Sequence, residues 1–232
     1  MLTVILSAIS LFMAAAVLYF FTAPKPTILL LRKMMSGDGV LKYPVECREE
    51  DLAVDVQMDL KYPSAHGRNY YDLYLPKNAK RKSPVIIWIH GGGFIAGGKG
   101  STKNWGKLFA DAGYAVAAVD YEYAPKIIYP GQTGQIQEFV RELKRRAMEG
   151  LPIDMNRVYL AGDSAGAHIA AQCGLLAVNA DFANKIGVKS ELSCDELMAM
   201  LLYCGPYNIE KIFKTDSKRA QFIIGKIGWA LL

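Results

Sequence analysis

The stretch that decides the fold lies at residues 158–177 and reads VYLAGDSAGAHIAAQCGLLA. Its first four residues, 158–161, are all apolar or aromatic, which is typical of a strand buried on both faces. The pentapeptide 162–166 follows, and the small and apolar residues after it indicate a helix. A strand, a sharp turn flanked by glycines and a helix together raise a serine out of a sheet. Ser164 is therefore the predicted nucleophile.

Two glycines flank Ser164, and the turn itself explains them. Gly162 and Gly166 are expected because a Cβ at either position would strike neighbouring backbone in so tight a turn. The helix that follows directs its N-terminus at the turn, which favours negative charge developing there. The pattern is therefore suited to acyl transfer through Ser164.

A second glycine motif, His90-Gly91-Gly92-Gly93-Phe94, follows the apolar run 85–89. Consecutive glycines let a loop turn its N–H groups toward a bound oxygen, and an acyl-transfer site needs such donors for its oxyanion. A phosphate-cradling loop or a merely flexible loop is the alternative. The Lys-Ser or Lys-Thr pair of a phosphate-binding loop does not follow, which favours the oxyanion interpretation.

The rest of the chain predicts an α/β fold with a mostly parallel sheet in three layers. Apolar and polar residues alternate at 54–60 and 70–75, which predicts two antiparallel strands that each have one wet face. Unbroken apolar runs at 85–89, 114–119, 158–161 and 198–203 predict buried parallel strands. Helical spacing appears at 105–112 and 136–143, and Ser101 and Gly113 are the predicted start and stop of the first helix.

The first 21 residues differ from all others, because no side chain from 2 to 21 is charged. This length predicts a membrane-spanning helix. A cleaved signal peptide is the alternative, but the run exceeds the usual apolar length and no small-x-small cleavage site follows. Four basic residues come soon afterwards, which predicts a single-pass protein with its domain on the cytoplasmic side: Lys25, Arg32, Lys33 and Lys42.

The sequence thus divides into three parts. Residues 1–23 are the predicted transmembrane anchor, which contacts membrane lipid, and 24–50 are the predicted juxtamembrane linker. Residues 51–232 are the predicted α/β domain. The composition, with 52% hydrophobic and 21% charged residues, excludes long disorder. The net charge of +5 is spread along the chain, which argues against a nucleic-acid partner.

The motifs together resemble the hormone-sensitive-lipase-like branch of α/β-hydrolases, whose esterases have a Gly-Asp-Ser-Ala-Gly turn. The segment from Asp120 to Pro125, Asp-Tyr-Glu-Tyr-Ala-Pro, is similar to the Asp-Tyr-Arg-Leu-Ala-Pro segment of that family. Glu122 and Tyr123 are the departures. The resemblance runs from about Arg68 to Pro206, with three motifs in the family's order.

This resemblance implies an α/β-hydrolase that acts on small ester or amide substrates without a metal or organic cofactor. It implies that the oxyanion hole consists of the N–H groups of Gly92, Gly93 and Ala165. It also implies supporting roles for His90 and Gly91 in the loop. Asp163 is then a structural neighbour of the nucleophile and not the acid of a catalytic triad.

The sequence departs from the family where the triad acid and histidine would follow the serine. The chain has only three histidines, and their positions do not match: His66, His90 and His168. Residues 207–232 resemble the family's lid segment. One account is a truncated sequence that lacks the last strands, the triad acid and the triad histidine, so that this chain alone is expected to be nearly inactive. The other account is an inactive, membrane-tethered relative that only binds ligands.

Overall fold

The computed structural model describes residues 1–35, 40, 42–214 and 216–231. Its strands are β1 (Val54–Lys61), β2 (Tyr70–Pro76), β3 (Ser83–Ile89), β4 (Ala115–Val119), β5 (Ile153–Asp163) and β6 (Leu197–Tyr203). Its helices are α1 (Leu2–Thr22), α2 (Pro24–Met35), α3 (Lys103–Asp111), α4 (Gly131–Met148), α5 (Ala165–Val178), α6 (Ala180–Ile186), α7 (Ile209–Phe213) and α8 (Lys218–Leu231).

The strands form one mixed sheet in the order β1-β2-β4-β3-β5-β6. β2 pairs antiparallel with both β1 and β4. β3, β4, β5 and β6 run parallel to one another, and at least one helix lies between each of these strands and the next along the chain. The predicted mixed sheet is therefore confirmed, and β6 is an edge strand of the part that the structure describes.

Strand β3 shows how the three layers are built, because its alternate side chains enter different cores. Ile87 and Ile89 are fully buried in a cluster that includes Phe139 of α4 and Ile169 of α5. Its neighbours Ile86 and Trp88 point to the opposite face and join a second cluster with α3. A strand that is apolar on both faces is thus covered by helices on both sides, as its unbroken apolar run indicates.

The prediction of one wet face is wrong for β2, whose two faces are both buried. Asp72 and Tyr74, which alternate with its apolar residues, are 0% exposed. Helix α3 covers this face, and a Cβ on Gly106 would lie 2.6 Å from Cδ2 of Tyr74. The Lys99 ammonium reaches Asp72 at 2.6 Å and compensates its charge. The polar residue Asp72 is therefore buried, although the alternating pattern predicted that it would be exposed.

The predicted boundaries of α3 are half right. Ser101 is not its cap, because the helix begins at Lys103 and the Ser101 hydroxyl donates to Gly98 O at 2.9 Å in the preceding 3-10 turn, Lys99–Thr102. Gly113 does end the helix, with φ of +99°. That left-handed conformation is one that glycine adopts without a steric penalty.

Residues 24–50, predicted as a linker, contain helix α2, which packs on the α/β domain. Pro24 and Pro26 lie in its first turn, where a missing N–H leaves no helical hydrogen bond unmade. Ile28 is only 2% exposed, in a cluster with four residues of the domain: Ile95, Ala96, Ala124 and Ala230. Ala230 belongs to α8, so the first and last parts of the described chain meet beside the sheet.

The predicted transmembrane helix is not confirmed. Within the described residues, no individual helix meets both the length and the hydropathy needed to cross a membrane. One bent pair, Ile5–Tyr19 with Pro24–Met35 at 71°, meets these requirements by length and composition only.

Candidate active site

Ser164 occupies a sharp turn between β5 and α5. Its φ of 51° and ψ of −116° lie outside the regions that serine ordinarily adopts, which is typical of a nucleophile in such a turn. Its N–H donates to Tyr203 O of β6 at 2.8 Å, and its carbonyl accepts from His168 N–H at 3.1 Å. The strained conformation is thus held by hydrogen bonds on both sides.

The two glycines of this turn are required by close backbone contacts. A Cβ on Gly162 would lie 2.6 Å from the carbonyl oxygen of Ile89, at the end of β3. A Cβ on Gly166 would lie 2.5 Å from the carbonyl oxygen of His90 and would also overlap Ile89 O. The turn therefore packs directly against the start of the glycine loop.

The glycine loop is itself a compact turn with left-handed residues. Gly92, Gly93 and Phe94 have φ of 121°, 60° and 65°. The N–H groups of Ile95 and Ala96 both donate to Gly92 O, at 3.1 and 2.9 Å. A β-carbon on Gly92 would overlap the backbone of Ala96. Glycine is thus required at the head of the loop by both conformation and space.

Asp163 joins this loop to the turn around Ser164. Its Oδ1 accepts the N–H of Gly91 at 2.9 Å. The N–H groups of Gly92 and Gly93 donate to no acceptor among the described residues. The N–H of Ala165, first in α5, has no partner inside its own helix. The predicted loop and turn are therefore neighbours, and both offer N–H donors that other contacts do not consume.

His90 is buried beneath the glycine loop and supports its backbone. Its Nδ1 lies 2.6 Å from Gly91 O, and its ring stacks on Tyr121 at 4.4 Å between centroids. Tyr121 in turn donates its hydroxyl to His90 O at 3.0 Å. Burial lowers the pKa of His90, and this effect outweighs the Asp120 carboxylate 3.6 Å from Nε2. The ring is therefore neutral near pH 7 and donates from Nδ1.

His168 lies one helical turn beyond Ser164 and takes part in a different hydrogen-bond chain. Tyr129 donates to Gln172 Oε1 at 3.1 Å, and Gln172 Nε2 lies 3.4 Å from His168 Nε2. His168 Nδ1 lies 3.1 Å from Pro206 O. Burial lowers the pKa of His168, so a neutral ring donates from Nδ1 and accepts at Nε2. Both ring nitrogens are thus engaged away from Ser164.

These side chains form part of the wall of a cavity of about 480 Å³. Phe94 of the glycine loop and Ile169 of α5 supply apolar surface, and Tyr207 and Leu231 supply more from the last part of the chain. Phe94 and His168 meet edge to face at 5.8 Å. The cavity therefore lies beside the glycine loop and beside α5, the helix that begins after Ser164.

None of the three histidine rings hydrogen-bonds to Ser164 within the residues that the structure describes. The third, His66, lies in the turn before β2, where its backbone N–H donates to Ser64 Oγ at 3.1 Å. The described residues also contain no group of three or more His, Cys, Asp or Glu side chains that could hold a metal ion.

Sequence reasoning missed the role of Asp120. Its Oδ1 accepts the Lys99 N–H at 2.9 Å and pairs with the Arg68 guanidinium at 3.1 Å, close to His90. Asp120 directly follows β4, so it lies at the same carboxyl edge of the sheet as the two glycine motifs. Its position directly after a buried strand is the sequence signal from which a role for Asp120 near the site could have been predicted.

The chain matches a known protein family over most of its length. The BD-FAE family model matches residues 71–226, more than half of the 232-residue chain. The chain belongs to the BD-FAE family. The match contains β3, the glycine loop and the turn at Ser164. The BD-FAE chain also has the mixed sheet of esterase B from Lactobacillus Rhamnosis (HN001), with a TM-score of 0.69 at 23% identity over 94% of this chain and 65% of that one.

Curated relatives of this BD-FAE chain include named esterases. A probable isoprenylcysteine alpha-carbonyl methylesterase of Oryza sativa subsp. japonica is 34% identical over 67% of this chain and 36% of its own. An ethyl acetate hydrolase of Pseudomonas putida is 32% identical over 50% of this chain and 34% of its own. The chain thus spans about a third of the length of each of these two relatives. The BD-FAE chain is an α/β-hydrolase of an esterase family.

Proposed function

We propose that this BD-FAE chain carries the nucleophile and oxyanion hole of a serine hydrolase that cleaves carboxylic esters or related amides. The observation that carries the proposal is the strained turn at Ser164, tied through Asp163 to a glycine loop with unused N–H donors. Strain at a sharp turn after a buried strand is a feature of serine nucleophiles in this kind of sheet.

The proposed chemistry follows from these positions. Ser164 Oγ attacks the ester carbonyl carbon while its proton passes to a base, and the carbonyl oxygen becomes an oxyanion. The N–H groups of Gly92, Gly93 and Ala165 receive that oxyanion. Collapse of the intermediate expels the alcohol and leaves an acyl group on Ser164, which water removes in a second step.

The base is the part of the proposal that these residues do not supply. Nε2 of His90 faces Asp120 at 3.6 Å, Nε2 of His168 lies 3.4 Å from Gln172, and His66 lies in the turn before β2. Among the described residues, none of these rings hydrogen-bonds to Ser164. We therefore propose that the base that activates Ser164 is not one of these three histidines. The alternative is a protein that keeps the cavity and binds ligands without hydrolysing them.

Hydrolysis assays with added imidazole distinguish a hydrolase from a protein that only binds ligands, and they can be carried out with the full 232-residue chain. We expect the full chain to hydrolyse p-nitrophenyl butyrate faster as imidazole is added, because the free base accepts the Ser164 proton. Ser164→Ala gives the background rate that imidazole supports by itself. An equal rate for both proteins at every imidazole concentration would refute the hydrolase proposal, and ligand binding without turnover would favour the alternative.

We also propose that α1 binds membrane lipid and that the α/β domain faces the cytoplasm. Leu11 and Phe12 in α1 are 74% and 72% exposed, and the other large apolar side chains described in this helix are exposed as well. The basic residues that follow α1 support the orientation. We expect the full chain to float with phospholipid vesicles and a Leu11→Glu/Phe12→Lys variant to remain in the dense fraction. A wild-type chain that does not float contradicts the proposal.

A further inference from the structure

Helix α2 connects the N-terminal segment to the glycine loop through Arg32. The guanidinium donates from Nε to Ile95 O at 2.7 Å and from its terminal nitrogen to Ala124 O at 2.9 Å. Its Cζ also lies 5.0 Å from the centroid of the Tyr123 ring. A single side chain from outside the sheet thus contacts both the loop and the segment that follows β4.

These hydrogen bonds connect α2, the glycine loop and the segment around Ala124 to one another. Ala124 N–H donates to Phe94 O at 3.0 Å, so the loop and the Ala124 segment already hold each other directly. Arg32 also joins these two segments, because it donates to the carbonyls of both Ile95 and Ala124. A guanidinium has a rigid fork of donors, and its charge strengthens each hydrogen bond to a carbonyl. The loop is therefore held in place by a third element.

Apolar packing places α2 at the same spot. Ile28, one helical turn before Arg32, is buried against Ile95 and Ala96 of the loop. A Cβ on Gly93 would lie 3.4 Å from Cδ1 of Ile227 in α8 and 3.8 Å from Cε of Met35 at the end of α2. Helices α2 and α8 therefore flank the residue whose N–H is a proposed oxyanion donor.

We propose that Arg32 is a positioning residue of the oxyanion loop, which makes α2 part of the active site. This inference rests on the hydrolase function proposed above and goes beyond it. Arg32 lies outside the matched residues 71–226, and the family match assigns it no role. It does not touch the reacting atoms. It fixes the carbonyl of Ile95, and with it the direction in which the preceding loop N–H groups point.

Kinetics of three variants test this role in the full chain with imidazole present. Arg32→Ala should lower kcat for p-nitrophenyl butyrate by roughly tenfold to a hundredfold, since small displacements of donors weaken transition-state contacts steeply. KM should change by less than about twofold, because substrate binding in the ground state does not use the oxyanion donors. Lys25→Ala, a change at an exposed position of the same helix, should leave both constants at their wild-type values.

Arg32→Lys shows whether the forked donors matter, since lysine keeps the charge but does not span both carbonyls in one plane. We expect its kcat to fall between the values of Arg32→Ala and the wild type. This variant also decides the matter if Arg32→Ala fails to fold. The positioning role is overturned if Arg32→Lys has the kcat of the wild type and Arg32→Ala is folded and fully active. It is also overturned if Arg32→Lys has the kcat of the wild type and Arg32→Ala does not fold.

Hydrogen exchange separates this inference from the function on which it rests. The peptide that contains Ile95 and Ala96 should exchange its amide hydrogens about tenfold faster in Arg32→Lys than in the wild type, because the loop opens more readily. If the wild type shows no turnover that depends on Ser164, the hydrolase proposal fails, and exchange still reports on Arg32. Unchanged exchange in both Arg32 variants overturns the positioning role whatever the activity.

Discussion

Gly91 donates its backbone N–H to Oδ1 of Asp163 at 2.9 Å, which ties the glycine loop to the residue directly before Ser164. The same approach leaves no room on Gly91, since a Cβ there would lie 2.9 Å from the Asp163 carbonyl oxygen. Two motifs that are 72 positions apart in sequence therefore meet through one hydrogen bond. The placement of the proposed oxyanion donors relative to Ser164 depends on that bond.

Asp163→Ala should reduce imidazole-supported hydrolysis by roughly tenfold or more, because the loop loses its direct tie to the nucleophile. Asp163→Asn is the matched control, since an amide oxygen of the same size can accept the Gly91 N–H. The comparison uses kcat for p-nitrophenyl butyrate. Equal activity of the two variants would mean that this hydrogen bond does not position the loop.

Gly166→Ala should destabilise the chain, because the new Cβ overlaps the backbone of Ile89 and His90. Forced overlap in a packed interior typically costs about 1–3 kcal/mol. Gly134→Ala in α4 is the control, since a Cβ there meets no atom within 4 Å and alanine favours a helix by about 0.5–1 kcal/mol. Urea unfolding followed by circular dichroism measures both changes, and the same sign for both would contradict the packing argument.

The pair Lys99–Asp72 predicts a strong non-additive effect on stability. Burial lowers the pKa of Lys99, but its hydrogen bonds to Asp59 and Asp72 outweigh that effect and raise the pKa above its ordinary value. Lys99→Met would leave the buried Asp72 carboxylate without its counter-charge, at a cost of about 3–5 kcal/mol.

Lys99→Met combined with Asp72→Asn should recover most of that loss, because the neutral amide needs no counter-charge. The amide side chain of the double variant would still offer an oxygen to the Asp59 N–H, which in the wild type donates to Asp72 Oδ1 at 2.9 Å. The free energy of unfolding in urea is the quantity to compare. A double variant no more stable than Lys99→Met would show that the buried charge is not the cause.

His90 should make the folded chain less stable in mild acid. Burial lowers its pKa in the folded state, so the unfolded chain takes up the proton more readily once the pH falls below about 6.5. The free energy of unfolding therefore falls as the pH drops below that value, by at most about 1.4 kcal/mol per pH unit for one proton, until the folded-state pKa is reached.

His90→Gln should be less stable than the wild type at pH 7 and should show a flatter profile between pH 7 and pH 5. Part of the slope should remain, because burial also lowers the pKa of His168. Urea unfolding at a series of pH values provides the test. An unchanged slope in His90→Gln would show that the buried ring does not control this pH dependence.

The sheet and the turn at Ser164 could be predicted because their signals are local. Unbroken apolar runs identified the strands β3, β4, β5 and β6, and glycines required by close backbone contacts identified the turn. The glycine loop could be predicted for the same reason, since its left-handed residues lie next to one another in sequence. Such features are visible within a short stretch of sequence, even though the contacts that require the glycines are made with residues far along the chain.

Two of the errors concern contacts between residues that lie far apart along the chain. The buried second face of β2 depends on Lys99, 27 positions beyond Asp72. The packing of α2 depends on Arg32, whose partners Ile95 and Ala124 lie 63 and 92 positions away. A pattern of alternating polarity does not reveal that a distant ammonium group or helix will cover the polar side.

Covalent labelling of Ser164 is the most direct test of the proposed hydrolase. A p-nitrophenyl phosphonate should react with the full chain when imidazole is present, as Oγ attacks phosphorus, imidazole takes the proton and p-nitrophenolate leaves. Mass spectrometry of the digested protein should find the phosphonyl group on the peptide that contains Ser164, and Ser164→Ala should remain unlabelled. A label on another residue, or equal labelling of Ser164→Ala, would contradict the account.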